Sequence, residues 1–315
     1  MTTSTAKVGT TPKAATTAKT ATARARTTRP TTRARTTKPT TARAAKPAKP
    51  VAKAPIPRLR LTDDEFQAMM GTVGKSDSVE LKLTVADAER RNTIRALQMD
   101  PLNAQIRQVV FFDTPDLALS KAGVVVRARR SIAKGDDSTI KLRPVEPDDL
   151  SKSLRSTPGF VVEVDAMPGS WVCSGALSAG LPNGDVWDAL QGRRPIRKLF
   201  SKAQRAFYEE HAPAGIALDD LSMLGPIFVL KLKWTPRRFA RPMVAEAWLY
   251  PDGSQILELS TKAPPSQAFQ VAAEARAFLG SLGITASSGQ ETKTRRALRT
   301  FSQRLQAEQS ADAAG

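Results

Sequence analysis

From Leu61 onward the chain switches repeatedly between a period of two and a helical period in its apolar positions. Leu61-Thr-Asp-Asp-Glu-Phe-Gln-Ala-Met-Met70 sets Thr62 or Asp63 as an N-cap with acids in the first turn, which predicts a short helix. Val79 to Val85 alternates and reads as the first strand, Asp87 to Met99 returns to helical spacing, and Val109 to Asp113 is strand again. A helical turn over Leu117 to Ala122 ends at Gly123, which releases the chain into a strand from Val124 to Ser131. Ala133-Lys-Gly-Asp-Asp137 is a turn by composition, so Ser138 to Val145 is predicted to fold back as the second arm of a hairpin. A polar loop from Pro144 to Thr157 then precedes a strand from Phe160 to Ala166.

Further on, Asp185-Val-Trp-Asp-Ala-Leu190 reads as helix, followed by a turn and a strand from Lys198 to Glu209. Ile216 to Leu221 and Ile227 to Trp234 read as two strands separated by Met223-Leu-Gly-Pro. Met243 to Tyr250 and Gln255 to Ser260 flank Pro251-Asp-Gly-Ser, a hairpin signal. Gln267 to Leu282 is an amphipathic helix that offers Phe269, Ala272, Ala273, Phe278 and Leu279 for packing. Glu291 to Leu305 reads as a basic helix, and the last ten residues as disordered. Many short strands with alternating charge and few long helices predict an α+β fold built on an antiparallel barrel wide enough to hold a ligand.

Composition divides the chain into a basic tail over 1–58, a folded domain over 59–285 and a polar C-terminal tail over 286–315. No acidic residue precedes Asp63, and fifteen of the eighteen excess positive charges lie between Lys7 and Arg60, so the high isoelectric point describes the tail more than the domain. The tail is almost wholly Thr, Ala, Lys, Arg and Pro, and too poor in apolar area to offset the entropy of ordering, so it is expected to be disordered. It reads either as a solubilising spacer or as a salt-sensitive contact to nucleic acid or polyphosphate, and less readily as a transit peptide.

No apolar run is long enough for a membrane span and no secretory signal is evident, which predicts a cytoplasmic protein, associated with the nucleoid if the tail contacts DNA. Cys173 is the one cysteine and reads as a small packing residue; His211 is the one histidine and sits in a helix-end setting. With neither a second histidine nor a cysteine cluster, any metal would be held by carboxylates, and hard oxygen ligands favour Mg²⁺ or Mn²⁺.

Charges spaced by two give the fold its candidate chemistry. Arg127/Arg129, Lys141/Arg143 and Lys231/Lys233 each share a strand face, and Lys82, Arg205 and Lys262 also fall in predicted strands or at their ends. The plain reading of any one pair is a solvated outer face. Several pairs flanking carboxylate-bearing strands point instead to a wet channel for a polyanion, because crowding a triphosphate into a tunnel requires cations from more than one wall. Glu80, Glu163, Asp165, Glu246 and Glu258, each on a strand, are the candidate metal ligands.

Ser78-Val-Glu-Leu-Lys-Leu-Thr84, Phe112-Asp-Thr-Pro-Asp-Leu117, Val126-Arg-Ala-Arg129, Ser138-Thr-Ile-Lys-Leu142, Val161-Val-Glu-Val-Asp165 and Ile256-Leu-Glu-Leu-Ser-Thr-Lys262 follow one another in an order that resembles the CYTH family of triphosphate tunnel metalloenzymes. Ser78 stands where that family has the leading glutamate of its first-strand E-x-E-x-K motif, and Val229-Leu-Lys-Leu-Lys233 is basic where the late strand of many relatives is acidic. The resemblance spans roughly residues 75 to 285 and implies an eight-stranded tunnel in which wall carboxylates hold one or two divalent ions. It implies a hydrolase of inorganic, nucleoside or thiamine triphosphate, with class IV adenylate cyclase as a branch of the same reading; the basic tail and Ser78 support the alternative, a non-catalytic polyphosphate- or nucleic-acid-binding module with a histone-like basic tail. Lys82 and Lys262 would be catalytic, and Arg127, Arg129, Lys141, Arg143, Arg205, Lys231 and Lys233 would bind substrate. The scarcity of aromatic residues favours an inorganic substrate. Oligomeric state is not readable.

Overall fold

Nine strands close into a barrel in the computed structural model, which describes residues 62–132, 135–287 and 291–314. The basic tail, with its expected disorder and its contacts, lies outside the described residues. In chain order the strands are β1 (Ser78–Val85), β2 (Gln105–Asp113), β3 (Val124–Ser131), β4 (Asp136–Leu142), β5 (Phe160–Met167), β6 (Ser170–Leu181), β7 (Ser222–Trp234), β8 (Met243–Leu249) and β9 (Gln255–Ala263). Round the barrel they run β1-β5-β6-β4-β3-β2-β7-β8-β9 and return to β1. The expectation of eight antiparallel strands is corrected to nine, with β1 and β5 parallel.

The helices are α1 (Asp63–Gly74), α2 (Arg90–Ala96), α3 (Ala118–Lys121), α4 (Lys152–Arg155), α5 (Asp185–Leu190), α6 (Lys202–His211), α7 (Ala268–Ser281) and α8 (Lys293–Ala314). Thr62 and Glu65 form a reciprocal capping box at the start of α1. None of the helices described is long and apolar enough to cross a membrane.

Most of the apolar core lies outside the barrel, between the sheet and the helices. The outward positions of β2 to β6, among them Val110, Phe112, Val126, Ile140, Val162 and Leu177, pack with Val186 of α5 and Phe207 and Tyr208 of α6. The outward positions of β1 and β7 to β9 pack with Ala275 and Leu279 of α7. On α7 the buried residues are Ala268, Val271, Ala275 and Leu279, so the expected packing set shifts along the helix and Phe269 is left exposed.

A third cluster joins Val109, Phe111, Val229, Trp248 and Ile256 to Ala297, Leu298 and Phe301 of α8. In register these strand residues point into the barrel, so α8 closes one end of it. The last ten residues, expected to be disordered, continue α8 as far as Ala314. Phe112-Asp-Thr-Pro-Asp-Leu117 serves this closure: the Asp113 carboxylate accepts the backbone N–H groups of Thr114, Leu119 and Ser120, which caps α3, and the Pro115 carbonyl accepts Ser302 Oγ and Gln306 Nε2 of α8.

Other elements depart from the sequence pattern. Lys198 to Glu209, read as strand, is largely α6, opened by a capping box between Ser201 and Gln204. Gln204 is fully buried, and its Nε2 donates to the carbonyls of Ser138 on β4 and Leu177 on β6, which fixes the helix to the barrel. The expected strand at Ile216 to Leu221 is a loop with a 3-10 turn at Leu218–Asp220, and β7 runs through Met223-Leu-Gly-Pro as one strand whose register against β2 shifts between Val109 and Phe111. β6 is a strand the pattern did not indicate.

Candidate active site

Strand register decides which charges face inward. Glu80 lies opposite Lys262 on β9 and Asp165 on β5; Glu258 lies opposite Glu246, and Glu246 opposite Lys231. Lys231 lies opposite Gln105, Val109 opposite Arg129, Arg129 opposite Asp137, Arg127 opposite Thr139, Lys141 opposite Ala176, and Ala176 opposite Val161. Opposed residues project from the same face of a sheet, so the circuit returns to β1 without changing side. The other face carries the apolar clusters under the helices. The alternating charges therefore line the lumen, and the reading of a solvated outer face is excluded for them.

Three carboxylates converge at the seam of β1 and β5. One oxygen from each of Glu80, Glu163 and Asp165 lies within 4.8 Å of the others. Asp165 is only 1% exposed; Lys82 Nζ sits 2.7 Å from its Oδ1, while Arg143 and Lys141 reach its Oδ2 at 3.3 and 3.5 Å. Burial alone would raise the Asp165 pKa, but Lys141, Lys82 and Arg143 together overcome burial and hold the carboxyl far below the ordinary range. Glu80 follows the same logic: burial opposes ionisation, and Lys82 and Lys293 outweigh it. Glu163 Oε1 accepts from Lys262 Nζ and, at 3.2 Å, from Ser78 Oγ. Ser78, in the position of an expected carboxylate, thus supports a neighbouring carboxylate. Oxygen donors gathered this closely are able to hold a metal ion.

Glu246 and Glu258 form a second pair around Lys293, the first residue of α8. Lys293 Nζ bonds Glu246 Oε2 and lies 2.7 Å from Glu258 Oε1, with the Trp248 ring 5.5 Å away. Lys231 Nζ takes the other Glu246 oxygen at 3.0 Å. Burial opposes charge on Lys293, but Glu246, Glu258 and Glu80 hold its pKa well above that of an ordinary lysine.

Across the lumen the cations are under-compensated. Arg129 pairs with Asp137 at 2.8 Å, but Arg127 has no ion pair among the described residues and its buried Nε has no acceptor. Burial, reinforced by Arg129, pushes the Arg127 pKa down to about 10. Arg107 on β2 is also buried without an ion pair among the described residues, its guanidinium bonded to Gln105 Oε1 at 3.0 Å.

Of the residues singled out from sequence, Glu80, Lys82, Arg127, Arg129, Lys141, Arg143, Glu163, Asp165, Lys231, Glu246, Glu258 and Lys262 come together in or at the edge of this lumen. Lys233 shares its face but is exposed at the end of β7. Arg205 does not belong: it lies on α6, outside the barrel, and donates to the Phe200 carbonyl at 2.6 Å. Arg107, Asp137 and Lys293 were missed. Arg107 has the same parity as Val109, and starting the strand at Gln105 would have found it. Lys293 has no local signal, since its place depends on how α8 docks.

No protein-family model matches the chain, and no curated protein matches it. Among solved structures, a protein from Bacillus halodurans described as a candidate adenylate cyclase is similar at 15% identity and a TM-score of 0.49, with 70% of this chain and 97% of that chain covered. A candidate adenylyl cyclase from Hippeastrum, for which a dominant triphosphatase activity is described, is similar at 16% identity and a TM-score of 0.49, covering 69% of this chain and 92% of that chain.

Proposed function

We propose that the lumen binds triphosphate compounds and hydrolyses them with the help of a divalent metal ion, inorganic triphosphate being favoured over nucleoside and thiamine triphosphates. The observation that carries this reading is Arg127, which faces the lumen with its Nε buried and without an acceptor, and with no carboxylate at ion-pair distance among the described residues. A cation held in this way is costly unless an anion joins it. Strands β1 to β9, their ends and α8 bring Lys82, Arg107, Arg127, Arg129, Lys141, Arg143, Lys231, Lys262 and Lys293 against Glu80, Asp137, Glu163, Asp165, Glu246 and Glu258, which leaves an excess of three positive charges for a polyanion to offset.

In this reading Glu80, Glu163 and Asp165 would hold the metal. When bound, Mg²⁺ or Mn²⁺ supplies Lewis acidity at the phosphoryl oxygens. Arg127, Arg129, Arg107 and Lys231 would hold the phosphate chain by charge-assisted hydrogen bonds, and Lys141 and Arg143 would extend that grip past Asp165. Lys82, kept protonated by Glu80 and Asp165 in spite of burial, would stabilise charge building on the bridging oxygen as water attacks in line. Lys262 is the most exposed of these cations and would meet the substrate at the mouth.

A second reading, a polyphosphate receptor without turnover, is favoured by Ser78 in place of a carboxylate and by the cations already seated on both oxygens of Asp165. Phosphate release from tripolyphosphate by the full chain, with Mg²⁺ or Mn²⁺ and with chelator as control, separates the two. Metal-dependent release lost in Glu80→Gln supports the hydrolase; tight binding with no release in any metal replaces it with the receptor.

A further inference from the structure

We infer that Lys293 supplies, between Glu246 and Glu258, the charge that a second divalent cation would otherwise supply, so that the lumen takes one metal ion and not two. This rests on the metal-dependent reading above and sharpens it. Glu246 and Glu258 are direct partners across β8 and β9, and like charges so placed repel unless a cation lies between them. Glu258 is buried and Glu246 keeps only 13% of its side chain exposed, so water screens them poorly. The cation is the Lys293 ammonium, which bonds both carboxylates over the Trp248 ring.

This lysine is not a floating side chain that happens to fall there. Its own carbonyl accepts the Tyr250 hydroxyl at 3.0 Å, and the helix it begins is anchored by Ala297, Leu298 and Phe301 and by Ser302 on the Pro115 carbonyl. The ammonium is delivered by the same packing that closes the barrel.

Open donor atoms distinguish the two carboxylate groups. Glu246 has Oε1 on Lys231 and Oε2 on Lys293, with Trp248 Nε1 also donating to Oε2 at 3.2 Å. At the seam of β1 and β5, by contrast, Lys82 engages only Oε2 of Glu80, and Lys262 and Ser78 engage only Oε1 of Glu163. Two carboxylates there each keep an oxygen without a partner among the described residues. A metal enters between Glu80 and Glu163 without displacing those contacts, beside an Asp165 whose two oxygens Lys82, Lys141 and Arg143 hold. At Glu246 and Glu258, by contrast, only Glu258 Oε2 is open among the described residues, and a metal would have to displace a lysine held by two charges.

The test is a Mn²⁺ titration of the full chain without substrate, following the loss of the free-ion electron paramagnetic resonance signal. Wild type is expected to bind one Mn²⁺, Lys293→Met two, and Lys293→Met/Glu258→Gln one again. Because Lys293→Met leaves two buried carboxylates facing each other and can unfold the chain, Glu258→Gln gives an independent check. It is expected to leave Mn²⁺ affinity unchanged, and a loss of roughly tenfold or more, of the size expected on damaging a metal site, overturns the inference. Two ions in wild type, or one in a folded Lys293→Met, also overturn it while the metal reading stands. No Mn²⁺ bound by wild type overturns both.

Discussion

Lys82 Nζ lies 2.7 Å from Asp165 Oδ1, and this contact crosses the parallel seam of the barrel, where β1 meets β5. Asp165 serves Lys141 and Arg143 as well, so one buried carboxylate balances three cations. Asp165→Asn leaves those cations to repel one another, and breaking a buried ion pair in this way costs about 3–5 kcal/mol. A large drop in the thermal midpoint is expected, partly restored by tripolyphosphate, and the restoration should exceed the shift that tripolyphosphate produces in wild type.

Arg127 should behave in the opposite manner. Its guanidinium has no carboxylate partner and is disfavoured by burial, so Arg127→Leu is expected to leave the thermal midpoint unchanged or raise it. Tripolyphosphate affinity should nevertheless fall, by about 1.5–3 kcal/mol if one charge-assisted hydrogen bond is lost. Calorimetric titration beside a melting curve checks both halves; unchanged affinity would remove Arg127 from the proposed site.

Arg205→Ala provides the matching control. The side chain sits on α6 and bonds the Phe200 carbonyl, so tripolyphosphate binding and turnover should match wild type.

Stability should depend on pH from the acid side. Asp165, Glu80 and Glu246 have folded pKa values below their unfolded ones, so their contribution is present above about pH 4, where unfolded carboxylates ionise, and is lost as pH falls through the lowered values. Lys82 and Lys293 are raised, so theirs is full below about pH 10 and is lost only above that. Urea midpoints should form a plateau from about pH 5 to 9 and fall below it. A fall already under way between pH 8 and 6 would contradict this assignment.

Ending the chain at Ser287 should damage the fold as well as the site. Without α8, Trp248, Phe111 and Val229 lose Ala297, Leu298 and Phe301 as packing partners. Loss of Leu298 and Phe301 alone removes about 3–6 kcal/mol of burial. The truncated chain is expected to melt well below the full chain and to bind a hydrophobic dye.

Much of the barrel is legible because β1 alternates polar and apolar residues along its length, and the candidate cations Arg127 and Arg129 of β3 and Lys141 and Arg143 on and just after β4 are spaced by two. β6 is not legible, because its sequence is built from small residues. A Cβ on Gly175 would lie 2.8 Å from the Phe160 ring, and the lumen positions Ser174, Ala176 and Ser178 are small too, so the usual β-branched signal is missing. The apolar pattern over α6 reads as strand although Ser201 and Gln204 spell a capping box, and that reading is what places Arg205 beside the lumen cations. Lys293 depends on tertiary docking, which no local pattern encodes.

The position of β1 also governs when the lumen can exist. β1 ends at Val85, yet it closes the barrel by lying between β5, which begins at Phe160, and β9, which begins at Gln255. On a ribosome the first strand is made early and has to wait for the last one before its second edge is paired, and such late, non-local closure is slow. Until β9 is made, β1 keeps an unpaired edge beside Glu80 and Lys82, and charged side chains on such an edge strand disfavour pairing with other chains.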